Sequence, residues 1–255
     1  MPSRAHLHAL SQLVRRRERD AEGVLLVEGV RSVEAALDAG AALVEVLATE
    51  EAASVPRTHA LLTRANAPVT LVAARDLARV ATVETPQGVV AVARQPAPAD
   101  LSRARRVLVL DGVQDPGNVG TLVRTAAWFG LDAVVAGPGT ADLFSPKVVR
   151  SAMGGLWDVP LARTEDLART LAAWRSTGGH GRIAGAVMDG TDAAVWQPSG
   201  RVALVVGSEG HGLAPEVEAL LDDALTLPGS PRRAGAESLN VGVAGGLLMW
   251  KMAAG

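Results

Sequence analysis

The stretch RVALVVGSEGHGLAPEVEALLDDALTLPGSPRRAGAESLNVGVAGGLLMW, residues 201–250, decides the fold. Its first run, Val202 to Val206, is short and β-branched, as an interior parallel strand is. Gly207, Ser208, Glu209, Gly210, His211 and Gly212 then break the strand with glycines, which allow a ligand to approach the backbone without meeting a Cβ. A second apolar run, Ala224 to Leu227, passes through Pro228 to Glu237, Ser238, Leu239 and Asn240, where a helix is predicted with Ser238 as its N-cap. In that helix apolar residues leave no wide polar face, so the spacing predicts a helix buried all round. Gly242, Gly245 and Gly246 each cost roughly 1 kcal/mol against alanine in a helix, which points to close backbone approach by another element.

Outward from this stretch, 255 residues at 48% hydrophobic content supply ample core for one large or two smaller domains. No run of eighteen apolar residues and no signal-peptide pattern occurs, so a soluble, cytoplasmic protein is expected, without membrane attachment. With no cysteine, disulfides and thiolate zinc sites are excluded, and the five histidines form no ligand spacing; no metal is expected. The net charge of −2 argues against nonspecific coating of nucleic acid, although local cationic patches remain open. Arginines dominate the cations, Lys147 and Lys251 being the only lysines, a bias that suits phosphate recognition and equally follows from a GC-rich genome.

The chain before residue 95 alternates strand-like runs (23–29, 42–49, 68–73, 88–94) with helical ones, an α/β unit whose charges cancel and which holds no catalytic constellation. A helix from His6 to Arg19 is predicted, closed by Arg15, Arg16, Arg17 and Arg19, where cations suit a helix C-terminus and could equally touch RNA phosphates. Gln95-Pro96-Ala97-Pro98-Ala99-Asp100 reads as a semi-rigid linker. The expected division is therefore a domain at 1–95, a linker at 96–102 and a second domain at 103–255.

In that second part a strand at 106–110 leads through DGVQDPGNVG to a helix in which Asn118 is a candidate N-cap. Arg124 stands in this otherwise apolar helix, able to lean back toward the same loop. Lys147 and Arg150, a helical step apart after Ser145-Pro146, could both meet a phosphate. Further strands near 131–136, 157–161 and 183–187 complete a mostly parallel sheet covered on both faces. Neither a dinucleotide fingerprint, nor a phosphate-binding Gly-Lys loop, nor a nucleophile elbow is found.

Four blocks, DGVQDPGNVGTLVRTAAWFG (111–130), SPKVVRSAMGG (145–155), VVGSEGHGLAPEV (205–217) and ESLNVGVAGGLL (237–248), resemble in order and spacing the signatures of the SpoU, or TrmH-like, RNA ribose 2′-O-methyltransferases of the SPOUT superfamily. The resemblance implies a SPOUT-type parallel sheet with a trefoil knot near the C-terminus, preceded by a smaller α/β RNA-binding domain. It implies S-adenosyl-L-methionine as cofactor, held by Gly207, Ser208, Glu209, Gly210, Gly212, Leu227, Pro228, Ser238, Leu239 and Asn240, and a homodimer whose site is completed across the interface. By the same resemblance Arg124 acts on the ribose hydroxyl with Asn118 in support, and Glu209, Ser238 and Asn240 lie by the cofactor or target nucleotide. Arg15, Arg16, Arg17, Lys147 and Arg150 are the candidate RNA contacts. Ser208 stands where asparagine is common in the family, and the loop carrying Arg232 and Arg233 is longer than the family pattern. Ribosomal RNA is the favoured substrate, with tRNA, or a noncatalytic RNA-binding role, as the alternatives.

Overall fold

The structure is a computed structural model that describes residues 2–177, 179–230, 235 and 237–254. The chain divides into two compact units, Met1–Pro96 with Asp142–Asp158, and Ala97–Ala141 with Val159–Gly255.

In the first unit, helices α1 (Arg4–Gln12) and α2 (Arg16–Glu22) lead into β1 (Val24–Glu28), α3 (Val30–Asp38), β2 (Leu43–Ala48) and α4 (Glu50–Ser54). The chain continues through α5 (Pro56–Arg64), β3 (Val69–Leu71), α6 (Ala74–Leu77) and β4 (Val89–Arg94). Its sheet has the order β1-β4-β2-β3, with β4 antiparallel to both neighbours and β3 parallel to β2. Leu7, Leu10 and Leu13 close one face of that sheet over Leu26, Leu47, Val90 and Val92.

The helix expected from His6 to Arg19 is two helices. Arg19, only 1% exposed, explains the break: its Nη1 donates to the carbonyls of Leu13 and Val14, both at 2.7 Å, replacing the helical partners those oxygens lack. The Arg19 Nη2 group meets the carboxylate of Asp142. Arg15, Arg16 and Arg17 consequently open α2 instead of closing a helix, the end at which the macrodipole disfavours cations.

The second unit begins with β5 (Arg106–Asp111), α7 (Pro116–Trp128) and β6 (Ala133–Ala136). Residues 142–158, which the sequence reading keeps with the later part of the chain, carry α8 (Pro146–Ala152) and α9 (Gly155–Asp158) and belong to the first unit, where α8 packs on β1. A strand expected at 157–161 starts only at Leu161, because Trp157 and Asp158 finish α9. After β7 (Leu161–Arg163) come α10 (Leu167–Ser176), β8 (Arg182–Asp192), β9 (Val202–Gly207), α11 (Pro215–Glu218), β10 (Asp223–Thr226) and α12 (Val241–Ala254).

The six strands are all parallel in the order β10-β8-β9-β5-β6-β7. β5, β6 and β9 are buried along almost their whole length, as continuous apolar runs between two helical layers must be. From β5 the chain moves outward to β6; from β9 it moves the other way, toward β10. The carboxyl ends of β5 and β9 therefore flank the point where strand order reverses, and in open parallel sheets ligands bind in that crevice.

α12 is buried on one face and not, as expected, on both. Val241, Gly245, Leu248, Met249 and Met252 are covered, while Val243, Leu247 and Trp250 are 50%, 46% and 58% exposed. The close approach expected from its glycines is found at Gly245, where a Cβ would come within 2.5 Å of Leu122 on α7.

Candidate active site

Three segments meet at the reversal point. β5 runs out through Gly112, in the left-handed region at φ 71, to the start of α7. The N-cap of α7 is Asp115, whose Oδ1 accepts from the amide of Asn118 at 2.9 Å. Asn118, expected to be the cap, is instead in the first turn, which frees its side chain for other partners. The reason is Pro116, whose fixed φ and missing N–H suit the first helical position.

β9 ends in a closed turn. Ser208 N donates to Gly212 O at 3.0 Å and Gly212 N returns the bond to Ser208 O at 2.9 Å. A Cβ at Gly207 would sit 2.3 Å from the Gly212 carbonyl oxygen, so only glycine closes this stem. At Gly210 and Gly212 the opposite holds, with open space where a side chain would stand. Glu209, exposed on the turn, accepts a short hydrogen bond from Asn118 Nδ2.

The third segment is the start of α12. Asn240, and not the expected Ser238, is its cap: Asn240 Oδ1 accepts from the amides of Gly242 at 2.9 Å and Val243 at 3.3 Å. Asn240 Nδ2 donates to Asn118 Oδ1 at 3.0 Å. Asn118 thus uses both ends of its amide, giving hydrogen to the carboxylate on one loop and receiving it from the cap of the last helix. Its orientation is determined by this pair of unlike partners.

Leu227 is half-buried, while Pro228, Ser238 and Leu239 are exposed, and among the described residues Ser238 has no hydrogen-bond partner. Arg124 is exposed on α7 and pairs with no described residue, so among the described residues nothing encloses the guanidinium. The outer face of α7 that carries it also presents Trp128, 84% exposed. Arg232 and Arg233 lie outside the described residues.

One residue that the sequence reading passes over belongs to this site. Asp111, the last residue of β5, is 7% exposed, and its Oδ2 accepts from the amide of Ala214 at 2.7 Å. Burial pushes its carboxyl above the usual range; the Ala214 bond opposes this, and Glu216 adds to it. An acid closing an apolar strand ahead of glycine, LVLDG, was the available signal. Elsewhere in this unit, a cavity of about 610 Å³ lies along β8 and β10, but its acids, Asp222 and Asp223, already pair with Arg175 and Arg182.

Among the candidate RNA contacts of the first unit, Arg15 and Arg17 are exposed and unpaired among the described residues, and Arg16 reaches Asp20 at 3.3 Å. Lys147 is exposed. Arg150 has another occupation, since its Nη1 donates to the buried carboxylate of Glu28 at 3.1 Å and to the hydroxyl of Thr82 at 3.0 Å. A guanidinium held in this way is a tie within the unit and a poor candidate for a phosphate.

A profile of the SpoU rRNA methylase family matches residues 105–250, and one of the MRM3-like substrate-binding domain matches residues 5–91. The 23S rRNA (guanosine(2553)-2′-O)-methyltransferase RlmP of Bacillus subtilis is 35% identical over 93% of this chain and 91% of its own length. The 23S rRNA (guanosine-2′-O-)-methyltransferase RlmB of Coxiella burnetii is 31% identical over 89% and 94%. Among solved structures, the SpoU methyltransferase AviRb from Streptomyces viridochromogenes in complex with the cofactor AdoMet superposes with a TM-score of 0.86 at 25% identity, covering 99% of this chain and 98% of that one.

Proposed function

Because the chain belongs to the SpoU rRNA methylase family, we propose that it is an S-adenosylmethionine-dependent ribose 2′-O-methyltransferase acting on ribosomal RNA. The observation that carries this reading is the convergence of Glu209, Asn118 and Asn240 at the reversal point of the parallel sheet. The open space over Gly210 and Gly212 fits a ligand laid against the backbone. The loop at 207–212, with Leu227, Pro228, Ser238, Leu239 and Asn240, would hold the cofactor, which supplies an electrophilic methyl group when bound. Ribosomal RNA is favoured over tRNA because both curated relatives described above are named for 23S rRNA and a substrate-binding unit precedes the methylase unit.

Arg124 is the residue for the ribose. A guanidinium is already protonated and is a donor only, so it does not take the hydroxyl proton. Its part is to orient the 2′ oxygen and to stabilise negative charge developing there. Asn118 fixes the loop beside it through Glu209 and Asn240. Arg15 and Arg17, kept exposed at a helix end that disfavours cations, serve RNA phosphates. The trefoil knot belongs to the same proposal, with α12 closing over β9 and α7, and an electron-density trace of residues 201–254 decides it.

A homodimer completes the site. Trp128, Val243, Leu247 and Trp250 are large apolar side chains left exposed on α7 and α12, the kind of surface that a second copy of the chain covers. Light scattering should give twice the chain mass for the native protein and a monomer for Trp250→Glu; a monomeric native protein would refute the dimer. A cytoplasmic location is part of the same proposal, since the proposed substrate is ribosomal RNA; among the described residues no helix is long and apolar enough to cross a membrane.

The function is tested by incubating the protein and labelled S-adenosylmethionine with total RNA from a strain lacking the gene, then mapping the labelled ribose. Label in one rRNA nucleotide is the expected result, with Arg124→Ala lowering the rate by roughly 10²–10³-fold. Label confined to tRNA would transfer the activity to that substrate. Failure to bind the cofactor at all would favour a noncatalytic RNA-binding protein.

A further inference from the structure

The turn at 208–212 has a closed stem, and Asp111 meets that stem at both its entry and its exit. Its entry is set by the sheet, where Gly207 pairs with Asp111 at the last register position of β9 and β5. Its exit is set by the Asp111 side chain, which accepts from Ala214 N at 2.7 Å. Behind Asp111 the chain is braced as well: Gly112 N donates to Thr140 Oγ1 at 3.1 Å, and that hydroxyl donates to Leu110 O at 2.9 Å. A Cβ at Gly112 would stand 3.8 Å from Ser208 Cβ, so the two loops lie in contact.

A carboxylate is a costly group for this task. Asp111 is buried and forms no ion pair among the described residues, and leaving water without a counter-ion is unfavourable. A hydrophobic residue would pack at the end of β5 without that cost, yet would offer nothing to the Ala214 amide. The acceptor is what distinguishes this side chain from Val109 or Leu110 before it.

We infer that Asp111 is a positioning residue for the cofactor: by holding Ala214 it sets the exit of the 207–214 loop, and so the shape that receives S-adenosylmethionine. This rests on the cofactor reading given above. Asp111 itself is expected to touch neither cofactor nor RNA, so its loss should weaken cofactor binding while sparing turnover once the site is filled.

The test is calorimetric titration of the full-length protein with S-adenosylmethionine, with kcat measured at saturating cofactor. Native protein is compared with Asp111→Ala, Asp111→Asn and Ala214→Pro. The last removes the donor at a residue whose φ of −64 already suits proline. Asp111→Ala and Ala214→Pro should each lose about tenfold or more in affinity, the magnitude of a hydrogen bond to a charged group. Asp111→Asn, which retains an acceptor oxygen, should stay within about threefold of the native affinity, and kcat should hold within a few-fold throughout. Should Asp111→Ala fail to fold by circular dichroism, Ala214→Pro decides the comparison. Unchanged affinity in a folded variant lacking the bond, a fall in kcat at unchanged affinity, or an Asn variant as weak as the Ala variant would each overturn the inference. Native protein that binds no cofactor would instead strike the reading on which it rests.

Discussion

Glu28 and Asp111 occupy equivalent places in the two units, and their fates differ. Each is the last residue of a buried strand, in the sequences LLVEG and LVLDG, and each is followed by a glycine in the left-handed half of backbone space, at φ 88 and φ 71. Both are buried, at 3% and 7% exposure. Glu28 is surrounded by donors: Thr82 gives its amide at 3.1 Å and its hydroxyl at 2.7 Å, and Arg150 adds a guanidinium at 3.1 Å. Among the described residues Asp111 has the single amide of Ala214, and a second carboxylate, Glu216, acts against its charge. A buried acid with a full set of partners is a structural tie, whereas one whose partner is a single loop amide serves to hold that loop, here the exit of the 207–214 turn beside the crevice.

The comparison breaks most severely at Glu28. Glu28→Ala leaves Arg150 and Thr82 without their acceptor and should cost about 3 kcal/mol of stability by urea unfolding, as removal of one partner from a buried pair does. A cost below about 1 kcal/mol would mean that the tie is not structural. Thr82→Val removes two of the four polar contacts that meet at this point while leaving the ion pair in place, and should cost about 1 kcal/mol. Both substitutions should leave cofactor affinity unchanged, in contrast to those at Asp111.

The smallest effect is at Asp111 and depends on pH. Its carboxyl is raised above the ordinary 3.8, so the folded chain retains a proton that the unfolded chain gives up. That contribution to stability is fully present below 3.8 and is lost as pH rises through the folded value. Asp111→Asn has no such loss, so native stability should fall relative to the variant as pH rises from about 4. A difference that is flat, or that grows in favour of the native protein, would show that burial does not dominate at this carboxyl.

The sites themselves were unequally legible. Asn118, Glu209 and Asn240 stand in motifs readable from the chain, yet their hydrogen bonds to one another were not: Asn118 and Asn240 are 122 residues apart. Arg150 and Glu28 are separated by the same 122 residues, which is why the spacing of Lys147 and Arg150 suggested a phosphate contact and the fold supplied a carboxylate. The sequence makes Arg19 a helix-closing cation, because its side-chain partners, the carbonyls of Leu13 and Val14, become available only where the helix breaks. The caps lie a few residues from where the sequence suggests for a local reason, as several Ser, Asn and Asp candidates stand close together and Pro116 favours one register over another.

Apolar run length and glycine placement by themselves determined a parallel α/β sheet with its loops at the strand ends, because a strand covered on both faces must be apolar at every position. The four motif blocks likewise determined the family. Tertiary structure alone decided that residues 142–158 serve the first unit, that α12 keeps an apolar face outward, and which buried acid is fully partnered. Periodicity records which side chains leave water, whereas what they meet there is set by elements more than a hundred residues away.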